Sequence, residues 1–277
     1  MKISHTAALA LAASLSSNAS AFSINTAGRS FISRASSSVF QKSHVFPSSL
    51  SRSTPRLNSG LNMFFGNLFG AAAAMGPPID YTALDFPGPE LGAAAKEGRF
   101  LVTSEREPNL SIATFAGGCF WGLELAYQRV PGVVYTAVGY SQGPEENPTY
   151  NQVCSGATGH TEAVAVYYDP NEVTYEQLLD TFFDRVNPTT VNGQGNDYGK
   201  QYRTGVYFHT KEQEEIARAR FEQEQRQYKK RIATELLEAK PFWPAEKYHQ
   251  QYLEKGGRMG NPQSAAKGAT DTIRCYG

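Results

Sequence analysis

Between residues 111 and 277 apolar positions recur at two periods, and the switching between them predicts the elements. Residues 111–116 (SIATFA) form a short β-type run that ends at Gly117-Gly118. The period then lengthens. Phe120, Leu123, Tyr127 and Val130 share one face of a helix, and Pro131-Gly132 stops it. Residues 133–140 read as a strand closed by a turn-rich loop through Gly143-Pro144 and Asn147-Pro148. Residues 161–168 alternate, with Glu162, Val164, Val166 and Tyr168 on one face and Ala163, Ala165 and Tyr167 on the other. A helix is predicted over 175–186 with Leu178, Leu179, Phe182 and Phe183 inward, then a strand over 204–209. A long charged helix is predicted from 211 to about 231, a strand over 232–237 and a helix over 244–255. From Gly256 the tail is Gly-rich and irregular. Helices alternate with strands and some connections are of hairpin length. An α+β domain of two layers follows, with helices on a mostly antiparallel or mixed sheet.

The first 80 residues have a different character. Lys2 precedes a short apolar run, 7–13, which leads to Ala19-Ser20-Ala21, a small-residue cleavage pattern. Residues 1–21 therefore read as a signal peptide. Residues 22–62 are Ser- and Arg-rich without an acid, as transit segments are, and are expected to be disordered. A signal peptide followed by such a segment, with Phe22 just after the cleavage pattern, resembles the two-part plastid address of algae with complex plastids. The alternatives are secretion or mitochondrial import. Residues 63–108, punctuated by Gly and Pro, are read as a loose lead-in to a domain over 109–277. The apolar stretch within it is too broken for a stable membrane insertion.

Lys+Arg and Asp+Glu both number 26. No acid precedes Asp80 but six of the basic residues do, which leaves the rest mildly acidic. Nothing in that balance favours nucleic-acid binding. The cysteines are Cys119, Cys154 and Cys275. Three is too few for a disulfide framework, and the spacing fits no metal knuckle. No phosphate loop, dinucleotide fingerprint or zinc-helix motif occurs, so no metal or cofactor is expected.

Cys119 lies where a strand gives way to the first turn of a helix. Unpaired backbone N–H groups and the helix dipole there favour a thiolate, and the expectation is a lowered pKa. The competing reading is a buried structural cysteine beside core aromatics.

Further blocks add weight. Gly118-Cys119-Phe120-Trp121-Gly122 resembles the nucleophile motif of the A-type peptide methionine sulfoxide reductases. Gly139-Tyr140, Asn147-Pro148-Thr149-Tyr150, Val153-Cys154-Ser155-Gly156, Gly159-His160-Thr161-Glu162 and the run from Gln194 to Arg203 follow in that family's order. The likeness spans about 111–255. It implies an α/β plait with a ferredoxin-like core and a mixed central sheet. It also implies thiol-dependent reduction of methionine S-sulfoxide, free or in oxidised proteins, as repair of oxidative damage.

By that resemblance Cys119 attacks the sulfoxide sulfur and Glu162 protonates the oxygen. A carboxyl buried against aromatics holds its proton near neutrality, which suits the part. Tyr150 and Tyr202 match tyrosines that bond the sulfoxide oxygen, Phe120 and Trp121 the wall for the S-methyl group, and Asp197 a polar residue of the pocket. Attack leaves a sulfenic acid on Cys119. Cys275, in a tail taken as flexible enough to swing in, is the candidate resolving thiol, and Cys154 is read as structural with a lesser claim to that role. The sequence departs from plant-type relatives at Ala269, where another cysteine is common, and at Val186-Asn187-Pro188, where many members have His-Asp-Pro. Reducing equivalents would come from thioredoxin or a similar dithiol carrier. A monomer is expected.

Glu124 is a rival acid, but five residues of helix turn it roughly 140° from Cys119, and it reads as a surface carboxylate. His160 is read as a hydrogen-bonding structural group. Two other functions remain open. A cysteine hydrolase or acyl transferase would pair Cys119 with His160 or His249 and need no reductant. A non-catalytic binder of Met-rich partners would keep its binding after Cys119→Ser.

Overall fold

The computed structural model describes residues 77–275, and the readings of a signal and transit segment fall outside the described residues. Six strands form one sheet in the order β7-β6-β1-β3-β2-β8. In chain order they are β1 (Ser111–Gly117), β2 (Val133–Ser141), β3 (Thr161–Tyr168), β6 (Thr204–Phe208), β7 (Glu235–Glu238) and β8 (Trp243–Pro244). A two-stranded ribbon, β4 (Gly193–Gln194) with β5 (Asp197–Tyr198), stands apart. Neighbours in the large sheet are antiparallel except β6 and β7, which are parallel. The sheet is therefore mixed.

All eight residues of β3 are buried, because both faces of the sheet are covered. Val164, Val166 and Tyr168 join a cluster with Leu123, Tyr127, Leu178 and Phe182. These come from α2 (Phe120–Gln128) and α4 (Tyr175–Arg185), beside which packs α5 (Lys211–Gln225). Ala163, Ala165 and Tyr167 meet Leu91, Ala94, Leu101 and Leu110 on the other face. The alternation expected for 161–168 is thus present. Phe182, fully buried, lies 5.8 Å from the Phe115 ring and 5.2 Å from that of Phe183. Truncating it to alanine costs about 3–5 kcal/mol.

Four expectations are corrected. The described part of the lead-in is not loose. Residues 81–83 form a 3-10 turn, α1 spans Gly88–Lys96, and Tyr81, Leu91, Ala94 and Ala95 are buried. The small residues that read as linker are what allow close packing, since a Cβ on Gly92 would sit 2.4 Å from the Tyr81 ring. No α-helix covers 244–255. Pro244 pairs with Gly139 in β8, Lys247–His249 is a 3-10 turn, and Gln251 takes φ 50°. The charged helix stops at Gln225, well short of 231. Its side chain bonds Lys230 O at 2.9 Å and accepts the Ile232 N–H at 2.9 Å, which turns the chain back toward β7. That strand starts at Glu235 rather than 232.

Candidate active site

β1 delivers Cys119 to the N-cap of α2. Gly118 before it has φ 82°, and a Cβ there would meet Gln194 at 2.7 Å, so the turn that sets Cys119 at the helix start accepts only glycine. The Trp121 N–H in the first turn favours the thiolate and works to lower the Cys119 pKa, though the side chain makes no capping hydrogen bond. The thiol pKa is nevertheless raised well above its usual value. Burial is the main cause, and the charges of Glu162, Asp197 and Cys275 add to it. The expected lowered pKa is corrected: one N–H of the helix terminus does not offset desolvation.

Glu162 reaches the same point from β3, where it pairs with Tyr140 of β2. Its Oε2 accepts the Phe120 N–H at 3.1 Å, one residue from the sulfur. Only 2% of Glu162 is exposed. Burial pushes its pKa up to about 8, the Phe120 N–H opposes the shift and Asp197 adds to it.

Two tyrosines flank this pair. Tyr150 opens the short helix α3 (Tyr150–Cys154), whose start is fixed by a Thr149–Gln152 capping box and by Glu246 accepting the Tyr150 N–H at 2.8 Å. The Cys154 thiol stands one turn on and, after burial, adds to the raised pKa of the Tyr150 hydroxyl. Tyr202 ends the 3-10 turn Lys200–Tyr202. The Thr161 hydroxyl donates to Gln201 O at 3.0 Å, and Arg203 donates to Gly159 O and His160 O at 3.1 Å each. These bonds tie the turn to the segment leading into Glu162. Burial, then the charges of Glu162, Cys154, Asp197 and Cys119, raise the Tyr202 pKa, so Tyr202 stays a neutral donor.

Phe120 and Trp121 build an aromatic wall together with residues that the sequence did not single out for it. Trp121 stacks on Tyr252 at 3.9 Å, and its indole N–H donates to His249 Nδ1 at 3.3 Å. The His249 ring lies 5.3 Å from Phe120 and 4.5 Å from Tyr150. His249 and Tyr252 stand three residues apart in the segment misread as a helix, and the sequence carried no other signal for them.

Neither histidine is placed as a base for Cys119. His160 spends both ring nitrogens on the 143–145 turn, with Gly143 N–H at 3.2 Å and Glu145 O at 2.7 Å. His249 spends Nδ1 on the Trp121 indole N–H, and burial lowers its pKa to about 4, which makes it a weak base. Glu124 is corrected: it is buried, not a surface carboxylate. It accepts the Thr136 hydroxyl at 3.2 Å and the Gln251 N–H at 2.9 Å, and burial raises its pKa to about 8.

Cys275 shares with Cys119 a cavity of about 340 Å³, lined also by Arg185, Gln194 and Asp197. A Cβ on Gly122 would come 3.0 Å from the Cys275 sulfur. The tail that carries Cys275 is tied down rather than swinging: Arg129 donates to Ser264 O at 2.8 Å and to Asp271 O at 2.6 Å. Val186 packs beside Gly117, and the Asn187 N–H donates to Gln194 Oε1 at 2.8 Å. Among the described residues no group of three or more His, Cys, Asp or Glu could hold a metal ion. No helix among them is long and apolar enough to cross a membrane.

The sequence model of the family described as peptide methionine sulfoxide reductase matches residues 111–274. Peptide methionine sulfoxide reductase A3 of Arabidopsis thaliana is 59% identical over 170 residues, covering 61% of this chain and 84% of that protein. The chloroplastic A4 protein of the same plant is 60% identical over 166 residues, 60% of this chain and 64% of its own length. Among solved structures, methionine sulfoxide reductase A of Corynebacterium diphtheriae matches with TM-score 0.50 and 38% identity, covering 54% of this chain and 76% of that one. Reduced Mxr1 of Saccharomyces cerevisiae matches with TM-score 0.50 and 36% identity over 55% and 88% of the two chains.

Proposed function

The chain belongs to the peptide methionine sulfoxide reductase family, and we propose that within it Cys119 is the nucleophile and Glu162 the proton donor. It is an oxidoreductase of the A type that reduces methionine sulfoxide with thiols. The observation that carries the assignment is the Glu162 carboxyl on the Phe120 N–H, next to Cys119 and buried enough to keep its proton near neutrality.

The Cys119 sulfur attacks the sulfoxide sulfur while Glu162 protonates the sulfoxide oxygen. The substrate gains two electrons and leaves as the thioether. The oxygen passes to Cys119, which becomes a sulfenic acid. Tyr150 and Tyr202 donate to the oxygen as its charge grows, and donors set in place beforehand stabilise that charge without reorganising. Phe120 and Trp121 hold the S-methyl group, and Asp197 bounds the pocket near the two reacting groups. Cys275 then resolves the sulfenic acid, which the cavity it shares with Cys119 supports. A dithiol carrier of the thioredoxin kind reduces the resulting disulfide. The chemistry asks for no metal or prosthetic group. The relative named chloroplastic supports a plastid destination, reached by the two-part leader.

The test is turnover of the two epimers of dabsyl-methionine sulfoxide by the full chain with excess dithiothreitol, beside Cys119→Ser. Consumption of the S epimer alone, abolished by the substitution, is expected. Consumption that survives Cys119→Ser overturns the assignment.

A further inference from the structure

The tail that ends in Cys275 has little apolar surface with which to hold its place. From Ser264 to Cys275 none of its residues is fully buried. Its position must come from polar ties, and one of them stands directly before the thiol. Gln263 is 6% exposed. Its side-chain Nε2 donates to Arg274 O at 2.7 Å, and its Oε1 accepts the Arg274 N–H at 2.9 Å. The amide thus pairs with both backbone groups of Arg274, as a neighbouring strand would. Gln263 is itself anchored, because its own N–H donates to O of Leu253, which is 1% exposed. A continuous chain of contacts runs from the core through Leu253, Gln263 and Arg274 to Cys275. The Arg129 bonds fix the tail farther back, at 264 and 271.

We infer that Gln263 is a positioning residue for the resolving step: its side-chain amide holds Arg274, and so keeps the Cys275 thiol against Gly122 within reach of Cys119. The inference rests on Cys275 being the resolving thiol. In that step the Cys275 sulfur attacks the Cys119 sulfenic sulfur. An S–S bond forms, the S–O bond breaks, and the hydroxyl leaves with the thiol proton as water. No outside oxidant is consumed. Resolution is unimolecular, so its rate scales with the fraction of molecules whose tail is docked. Gln263 touches neither substrate nor sulfur, so the reduction of sulfoxide does not depend on it.

The experiment mixes the reduced full chain with one equivalent of methionine sulfoxide and no external thiol. It follows methionine released, free thiols lost, and Cys119 trapped by dimedone. The wild type is expected to release one methionine and close a Cys119–Cys275 disulfide, identified by peptide mass. Gln263→Ala is expected to release methionine at the wild-type rate but to close the disulfide about tenfold more slowly, the effect of losing two neutral hydrogen bonds. Dimedone-labelled Cys119 accumulates meanwhile, and turnover with dithiothreitol is unchanged. Gln263→Glu, which keeps the acceptor and loses the donor, is expected to fall between the two and serves if the alanine variant does not fold. Disulfide closure at the wild-type rate in both variants overturns the inference. So does an equal slowing of methionine release, which marks a general loss of structure. A wild type that closes no Cys119–Cys275 disulfide overturns the resolving role of Cys275 instead, whatever the variants do.

Discussion

The Phe120 N–H donates to Glu162 at 3.1 Å, which joins the first residue of α2 to the middle of the sheet and sets an acid beside a thiol. Desolvation raises the pKa of both groups; the charge of Glu162 adds to the rise at Cys119, and Asp197 adds to it at both. If Cys119 is the nucleophile and Glu162 the acid, as proposed, attack draws on the form in which the single proton has passed from the thiol to Glu162, although the shifts favour the thiol as its resting place. Apparent pKa values measured here belong to the pair.

Glu162→Gln removes the acid and the charge together. Methionine formation is expected to fall by about 10²–10⁴, the usual worth of a positioned acid. Alkylation of Cys119 by iodoacetamide is expected to move to lower pH, because burial still raises that thiol but the charge of Glu162 no longer adds to it. An alkylation profile that stays put or moves to higher pH sinks the pairing.

Glu124 supports a second pH prediction, this time on stability. Burial raises its pKa from 4.5 to about 8 in the folded chain. Below 4.5 the carboxyl is protonated whether the chain is folded or not, and that stability is fully present. As pH rises toward about 8 the unfolded chain sheds the proton that the folded chain must keep, and stability is lost. Glu124→Gln keeps an acceptor for the Gln251 N–H and cannot ionise. Its Tm relative to the wild type is expected to rise between pH 5.5 and pH 8, by an amount worth at most a few kcal/mol. A difference that is constant across that range counts against the assignment.

His249 faces Phe120, Trp121 and Tyr150 and accepts the indole N–H of Trp121. His249→Ala opens a gap behind the aromatic wall and leaves that N–H without its acceptor. KM for methionine sulfoxide is expected to rise about tenfold, a loss of roughly 1.4 kcal/mol, with kcat changed less. A fall in kcat at constant KM would place His249 in the chemical step.

What the sequence made legible follows from where local pattern and tertiary demand agree. The β3 alternation was readable because both faces of that strand are buried by different partners, so each face carries its own apolar set. The Cys119 motif was readable because a tight turn, a sulfur and two aromatics must follow one another in the chain. The segment 244–255 was not, because Tyr252 and His249 meet the aromatic wall from turns held by Glu124 and Gln250, whose bonds join distant segments. Gln250 ties that stretch to Val138 through bonds of 3.0 and 2.9 Å. The Cys119 pKa was misjudged for a related reason: the helix terminus is a local feature, but burial is set by everything packed around it.

Gly122 separates helix stability from function. It sits inside α2, where alanine is favoured over glycine by about 1 kcal/mol, so Gly122→Ala should strengthen the helix in isolation. Its Cβ would lie 3.0 Å from the Cys275 sulfur and 3.5 Å from Arg185 Nη2. The first contact is too tight to stand, and the tail has less to hold it than the helix has, so the thiol moves. Gly122→Ala is expected to leave Tm unchanged or raised and to leave methionine release in the first turnover intact. It is expected to slow closure of the Cys119–Cys275 disulfide severalfold, read by thiol loss after one equivalent of sulfoxide. Gly122→Ser, with its larger side chain, should slow closure further. If the alanine variant closes the disulfide as fast as the wild type, the close approach of Cys275 to α2 is not what sets the resolving rate.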